Sequence, residues 1–394
     1  MGKIDDLIKE LCPDGVEWKT IEETCDILDS QRKPISKSKR KSGTFPYYGA
    51  NGIQDWVDGY IFDGTYILMG EDGSVINKDN TPVLNWVSGK IWVNNHAHIL
   101  KEGNNQVDLR FIYYILQTVD VSGIVRGVPP KINQANLKGI TIPLPPLSIQ
   151  QQIVEILDTF TDSISNLQEE LELREKQMEF YRENLLSFDG EDVEWKSIKD
   201  CISSLTTGVN PRQHFVLNSE DSSYHYITGK NINDNKIDVS SGTDKINAKA
   251  LSLINKRAKL TDDILLFAST GTGTVGRMAY VKQYDNSWTV SETLYIIRTQ
   301  RLINTKFLMY VLNTWRSKKQ YIGRISKGSV PHLKISDLLN VFIPVPSLSR
   351  QQEIVDILDT FESMITNIKE EIELRQKQYE YYREKLLTFE RKGV

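Results

Sequence analysis

The sequence predicts an α+β chain in which two similar, β-rich segments with short helices alternate with two long helices. The long helices are expected to pair as an antiparallel coiled coil with pseudo-twofold symmetry. Three observations lead there. Residues 142–188, "IPLPPLSIQQQIVEILDTFTDSISNLQEELELREKQMEFYRENLLSF", recur in one ungapped register at 343–389 as "IPVPSLSRQQEIVDILDTFESMITNIKEEIELRQKQYEYYREKLLTF". Each copy carries apolar residues at alternating steps of four and three, the spacing of a helical seam. Fainter echoes lie in the same order before each copy, as repeat architectures require. The implied boundaries are 1–147 for the first variable segment, 148–188 for the first spacer helix, 189–348 for the second segment and 349–394 for the second helix.

The segments open alike, with "GVEWKTI" at 15–21 and "DVEWKSI" at 192–198. Further on, "DLRFIYYILQT" (108–118) answers "NTKFLMYVLNT" (304–314), and "RGVPPKINQANL" (126–137) answers "KGSVPHLKISDL" (327–338). Their middles do not match: "KPISKSKRKSGTFPYYGANGIQDW" (33–56) has no counterpart in "HYITGKNINDNKIDVSSGTDKIN" (225–247). Two copies of one scaffold that read two different ligands would diverge in this way.

In the first long helix the seam runs through Ile153, Leu157, Phe160, Ile164, Leu167, Leu171, Met178, Tyr181, Leu185 and Phe188, and it is interrupted at Arg174. The second helix repeats it and is interrupted at Arg375. A polar residue in a seam sets register at some cost in stability, so Arg174 and Arg375 are register candidates, with Glu170 and Glu371 in reach; snorkelling out of the seam is the alternative. Pro143, Pro145 and Pro146, and Pro344 and Pro346, end the preceding segments, and Ser148 and Ser349 are candidate N-caps. Some 40 residues at about 1.5 Å rise make a rod of roughly 60 Å, which suits a spacer. The chain start "IDDLIKEL" (4–11) stands before the first "VEW" as "YRENLLSF" stands before the second, and is expected to close the arrangement cyclically.

Composition excludes several classes. No run approaches the roughly 18–20 apolar residues of a membrane helix, and "MGKIDDLIKELCPDG" is too acidic for a signal peptide, so no membrane partner and a cytoplasmic location are expected. Cys12, Cys25 and Cys201 lack the spacing of a zinc site or a disulfide framework. His96 and His98 put two imidazoles on one strand face without a third ligand in view, so no metal is expected.

The net charge of −4 hides a division: residues 149–188 carry −6 and 350–389 carry −3, which leaves +5 for the rest. The basic segments interleave cations with amides and aromatics, the donors that duplex DNA takes at phosphates and base edges. In the first segment the candidates are Lys37, Lys39, Arg40, Lys41, Tyr47, Tyr48, Asn51, Asn94, Asn95, His96, Arg126, Lys131, Asn133 and Gln134. In the second they are Lys230, Asn231, Thr270, Thr272, Thr274, Arg277, Lys327, Ser329, His332 and Lys334.

The stretch "FASTGTGTVG" (267–276) holds a literal G-x-G-x-x-G, which cradles a cofactor only where a helix follows. Here "RMAYVKQYDNSWTV" follows, rich in strand formers with a turn at Tyr284. The matching place in the first copy, "YILMGEDGSV" (66–75), lacks the pattern. We therefore expect a strand-to-strand loop, Thr270 to Arg277, facing DNA phosphate, and no cofactor in this chain. No catalytic constellation is found: Asn210-Pro211-Arg212-Gln213 lacks the second proline and aromatic of an amino-methyltransferase, and no G-x-x-x-x-G-K-[ST] loop is present.

With the repeated "PLPPLSIQQQIVEIL" and "PVPSLSRQQEIVDIL", the long helices behind them, and "FPYYGANGI" and "YILMGEDGS", nearly the whole chain resembles the specificity subunit of a type I restriction-modification system. That resemblance implies two target recognition domains, each reading one half of a split, asymmetric DNA site. It implies helices that set the gap and hold two DNA methyltransferase (modification) subunits, with restriction (endonuclease and translocase) subunits completing the complex. Adenine-specific methylation and ATP-dependent cleavage, with S-adenosylmethionine, ATP and Mg, would belong to those partners. The competing readings are an S-adenosylmethionine- or nucleotide-binding DNA-modifying enzyme and a coiled-coil protein scaffold.

Overall fold

The computed structural model describes residues 10–208, 210, 216–239 and 242–393. It divides into two compact units, Met1–Gln168 with Glu370–Val394, and Glu169–Lys369. Each unit therefore holds one recognition segment and parts of both long helices. Residues 4–9 of the expected lead-in and residues 211–213 of the "NPRQ" stretch lie outside the described residues.

The first unit opens with β1 (Glu17–Thr20), α1 (Ile21–Thr24) and β2 (Cys25–Ile27). Thr20 makes this corner sharp: its hydroxyl accepts from Glu23 N while the Glu23 carboxylate accepts from Thr20 N, a reciprocal cap. Strands β3 (Ser42–Gly49), β4 (Gly52–Val57), β5 (Phe62–Gly70), β6 (Leu84–Val93) and β7 (Ala97–Glu102) follow. They form one sheet with β2 in the order β2-β7-β5-β6-β3-β4, antiparallel except where β3 runs parallel to β6. Helix α2 (Leu109–Leu116) is capped by Asp108 and buries Phe111, Ile112, Ile115 and Leu116 against the sheet residues Ile67, Met69 and Leu100. Helix α3 (Gln134–Lys138) and β8 (Thr141–Leu144) return the chain beside β1, with Trp18 opposite Pro143, and α4 (Leu147–Leu185) begins.

The second unit repeats this frame with β9 (Glu194–Ser197), α5 (Ile198–Cys201) and β10 (Ile202–Thr207). Then come β11 (Tyr224–Ile227), β12 (Ile232–Asn233), β13 (Lys236–Ile237), β14 (Lys245–Ile246) and α6 (Ala248–Ala258). Strands β15 (Ile264–Ala268), β16 (Met278–Val281), β17 (Trp288–Val290) and β18 (Leu294–Thr299) lead to α7 (Thr305–Asn313), α8 (Trp315–Ile322), α9 (Ile335–Leu339), β19 (Phe342–Val345) and α10 (Leu348–Leu387). The sheet β10-β18-β15-β16 has the order of β2-β7-β5-β6, and Trp195 lies opposite Pro344 as Trp18 does opposite Pro143.

The units differ in what is grafted on that frame. The first extends its sheet with the β3–β4 hairpin, whereas the second builds a separate sheet β14-β11-β17 and packs α6 over a second core around Ile227, Ile254, Leu266 and Ile296. The first addition falls almost wholly in the unmatched stretch 33–56, and the second overlaps the unmatched stretch 225–247 and takes in α6 and β17 beyond it.

Within each unit the long helices run antiparallel. Phe160, early in α4, stacks on Tyr382, late in α10, at 5.1 Å in the first unit; Tyr181 stacks on Phe361 at 5.1 Å in the second. The interruptions do not reach across the seam: Arg375 Nε donates to Glu371 at 2.7 Å and Arg174 to Glu170 at 3.3 Å, one turn back on the same helix, and both side chains are half-exposed. As geometry alone, that is the snorkelling arrangement.

One detail departs from expectation. Helices α4 and α10 begin at Leu147 and Leu348, so Ser148 and Ser349 sit inside the first turn, and it is the Ser347 hydroxyl that accepts from Arg350 N at 3.4 Å. The expected lead-in lies mostly outside the described residues, and within the first unit the end of the second repeat packs beside the start of the first segment. Leu386 and Leu387 are buried in the first unit's core as Leu186 and Phe188 are in the second's, and Val16 N donates to Glu390 O while Lys392 N donates to Val16 O, both at 2.9 Å. The three cysteines are unpaired; burial pushes the thiols of Cys25 and Cys201 up to about 12 and about 11, which keeps them protonated and inert.

Candidate nucleic-acid interface

In the first unit the loop before β3 lifts its cations outward on a single tight turn, Lys37–Lys39, leaving Lys37, Lys39 and Lys41 exposed. Arg40 and Tyr47 anchor that loop and do not present themselves to a ligand. The Arg40 guanidinium lies 4.1 Å over the Tyr47 ring and 3.2 Å from Asp55, and the buried Tyr47 hydroxyl accepts from Ile35 N at 3.0 Å. Asn51 is exposed in the β3–β4 turn, and Tyr48 is half-buried. Asn94 is buried: it donates to Gln54 at 3.2 Å and accepts from His96 N at 2.8 Å, so it shapes the β6–β7 turn from within while Asn95 stays exposed. His96 pairs with Asp72.

His96 and His98 do not share a strand face, because β7 starts at Ala97. His98 is fully buried at the centre of an ion-pair network. Its Nδ1 lies 2.6 Å from Asp29 Oδ2 and its Nε2 2.8 Å from the Ile132 carbonyl, so the ring satisfies both only by donating from both nitrogens. Asp29, Glu71 and His98 bring potential metal-ligand atoms within 4.8 Å of one another. Protein donors already hold them: Asp29 accepts from Ile99 N at 3.1 Å and Gln134 at 3.1 Å, and Glu71 accepts from Arg32 at 2.5 Å and Lys131 at 3.1 Å. For both carboxyls burial acts upward, but for Asp29 the hydrogen bond and charge of His98 with Arg32 outweigh it, and for Glu71 Arg32 and Lys131 do, leaving both below their ordinary values.

That network fixes the next candidates. Lys131 and Gln134 are tied to Glu71 and Asp29, and Asn133 caps α3 by accepting from Asn136 N at 2.8 Å. Arg126 is exposed, closing the hairpin tip 127–130 through two backbone bonds with Lys131 at 2.9 and 2.8 Å.

In the second unit the glycine-rich stretch joins β15 to the antiparallel β16, with no helix start to receive a phosphate. Gly273 and Gly276 take φ of +72° and +90°, which side chains rarely adopt, so the glycines serve the turn. Thr272 is exposed at the tip. Thr274 is buried, its hydroxyl turned back to the Thr270 carbonyl at 3.3 Å, and leaves the set of contact candidates. Arg277 is exposed and bonded to Ile232 O at 3.1 Å and Asn233 at 2.9 Å. Lys230 is exposed, whereas Asn231 caps its own turn and donates to Thr243 at 2.9 Å. Thr270 meets His332 Nδ1 at 2.7 Å, and Lys327, Ser329 and Lys334 are exposed around it.

Sequence reasoning passed over the exposed apolar residues beside these cations: Ile53 and Trp56 on β4, Val128, and Val330. Their position inside or beside the basic stretches was the available signal.

Among the described residues no helix is long and apolar enough to cross a membrane. The family model for the type I restriction modification DNA specificity domain matches twice, at residues 13–174 and 190–374. A Haemophilus influenzae chain assigned as a type I restriction enzyme specificity subunit is 34% identical over 95% of this chain and 96% of its own length. The EcoR124I/EcoR124II specificity subunit of Escherichia coli is 28% identical over 99% and 98%. The crystal structure of the type I restriction-modification S subunit from M. genitalium superposes with a TM-score of 0.66 at 15% identity, over 95% of this chain and 96% of that one, a likeness of fold.

Proposed function

The chain belongs to the type I restriction-modification DNA specificity family, and from that premise we propose how its two recognition domains divide the work. Each domain reads one half of a split, asymmetric duplex site. The observation that carries this is the shared four-stranded frame bearing unlike additions, the β3–β4 hairpin on one and the β14-β11-β17 sheet with α6 on the other. Exposed Lys37, Lys39, Lys41 and Asn51 in the first domain, and Lys230, Thr272, Arg277 and Lys334 in the second, supply the phosphate and base-edge donors. The 39-residue α4 and 40-residue α10 contribute to both units, and their length sets the number of base pairs between half-sites.

The helices also offer a protein-docking stripe. Leu173 and Phe180, one heptad apart on α4, are exposed, and the register equivalents Leu374 and Tyr381 on α10 are exposed too. Two equal apolar stripes suit two equal partners, the modification subunits, which would supply adenine methylation with S-adenosylmethionine; restriction subunits using ATP and Mg would complete the complex. The chain itself is read as noncatalytic.

The test is to express the full chain with its modification subunits in a methylation-free host and map methylated adenines. A bipartite motif is expected, and exchanging residues 189–348 for another such segment should change one half of it only. Methylation without a fixed motif, or a change in both halves, would overturn the reading.

A further inference from the structure

Two loops that answer each other in sequence, 126–137 and 327–338, are braced alike in the two domains. In the first, Gly73 N donates to Pro130 O at 2.9 Å, Ile132 N to Glu71 O at 2.9 Å, and the His98 ring to Ile132 O at 2.8 Å. In the second, Gly271 N donates to Pro331 O at 3.0 Å, Leu333 N to Ser269 O at 2.8 Å, and the Tyr295 hydroxyl to Leu333 O at 2.6 Å. His98 and Tyr295 stand at the same register, opposite Met69 and Phe267. Each tip is closed across its base, by Arg126 with Lys131 around four residues and by Ser326 with His332 around five, so that Val128 and Val330 stand one position out of register with each other. A different side chain from below, histidine in an ion-pair network or tyrosine in an apolar core, holds the same backbone in the same place.

What these braces hold up is an apolar point. Val128 is 102% exposed and Val330 56%, each beside a proline at the end of a closed tip. A braced valine in water gains nothing from burial and is already ordered, so whatever covers it loses little conformational freedom. Cations flank both points: Arg126 beside Val128, and Lys327 and Lys334 beside Val330. Among the described residues none of these three has an acid in ion-pair reach. That surround fits a polyanion.

We propose that Val128 and Val330 are paired apolar wedges that press into the duplex groove at the two half-sites and loosen a base step, with Arg126, Lys327 and Lys334 on the adjacent phosphates. The inference rests on the DNA-reading function proposed above. It assigns these tips the opposite role to the divergent additions: a feature common to two domains that read different sequences acts on duplex shape and stacking, not on base identity. Apolar side chains wedged at a base step are an established way for a protein to trade stacking for a deformed duplex that offers more contact.

The experiment uses the full chain assembled with its modification subunits on a duplex carrying the mapped site, with 2-aminopurine at one step of each half-site in turn. Val128→Ser and Val330→Ser, both at exposed positions, are compared with Val216→Ser, an exposed valine outside the divergent stretch 225–247. Each tip variant should weaken binding about tenfold, leave the ratio of cognate to unrelated duplex unchanged, and lose the 2-aminopurine fluorescence rise in one half-site only. Val216→Ser should behave as the unaltered chain. Unchanged affinity and fluorescence in the tip variants, while the unaltered chain still selects its site, would overturn the wedge and leave the proposed function standing. Weaker assembly with the modification subunits and no change in fluorescence would overturn it in favour of a protein contact. Absence of selective binding by the unaltered assembly would overturn both.

Discussion

Gln150 and Pro145 are joined by a hydrogen bond from Gln150 Nε2 to the Pro145 carbonyl at 2.8 Å, and Gln351 makes the same bond to Pro346 at 2.8 Å. Both glutamines are fully buried and fully used. Gln150 Oε1 accepts from Asp108 N at 2.8 Å and its amide also donates to Gln106 O; Gln351 Oε1 accepts from Asn304 N at 2.8 Å and its amide donates to Leu302 O. One side chain thereby ties the start of a long helix to the N-cap residue of α2 or α7 and to the proline that follows β8 or β19.

Replacing Gln150 or Gln351 with Leu takes the side-chain partner from three backbone groups that are buried or partly buried, at about 1–3 kcal/mol for each that water does not reach. We expect a loss of about 3 kcal/mol in the unit that carries the change. Denaturant unfolding, with hydrogen exchange to locate the loss, measures it; an effect below about 1 kcal/mol would show that water replaces the amide.

Asp29 and Glu71 confer a pH dependence on the first unit. Their folded pKa values lie below the unfolded values of about 3.9 and 4.3, so their stabilisation is complete above those values and is lost as pH falls through the folded ones. Stability of this unit should fall below about pH 4, and Asp29→Asn should destabilise it at neutral pH while flattening that acid slope. Parallel pH profiles for the variant and the unaltered chain would contradict the assignment.

Lys37, Lys39 and Lys41 are expected to bind phosphate without reading sequence. Changing all three to Ala should weaken binding to every duplex alike and lower the slope of log affinity against log salt by about 0.9 for each phosphate that is no longer neutralised. A changed sequence preference with an unchanged slope would place them at base edges instead.

Adding one heptad to both α4 and α10 lengthens each by about 10.5 Å, close to three base pairs at ~3.4 Å. The recognised gap should widen by about that much with both half-sites unchanged, as methylation mapping would show. An altered half-site with the old gap would refute the dependence on helix length.

The chain's repeats, its helices and the strand-to-strand character of residues 270–277 were legible in sequence because each follows from local physics. Seam spacing, proline stops and glycine turns act over a few residues, and an internal copy supplies its own control. What escaped was any role set by distant partners. Tyr47, Asn94 and Thr274 have the side chains of DNA-binding residues yet are buried, because the chain folds Ile35, Gln54 and the Thr270 carbonyl against them. His98 became a brace because Asp29 and Ile132, far away in sequence, converge on its ring. Periodicity thus determined the architecture, but burial, which depends on what packs from elsewhere, decided which polar groups face a ligand and which hold the frame.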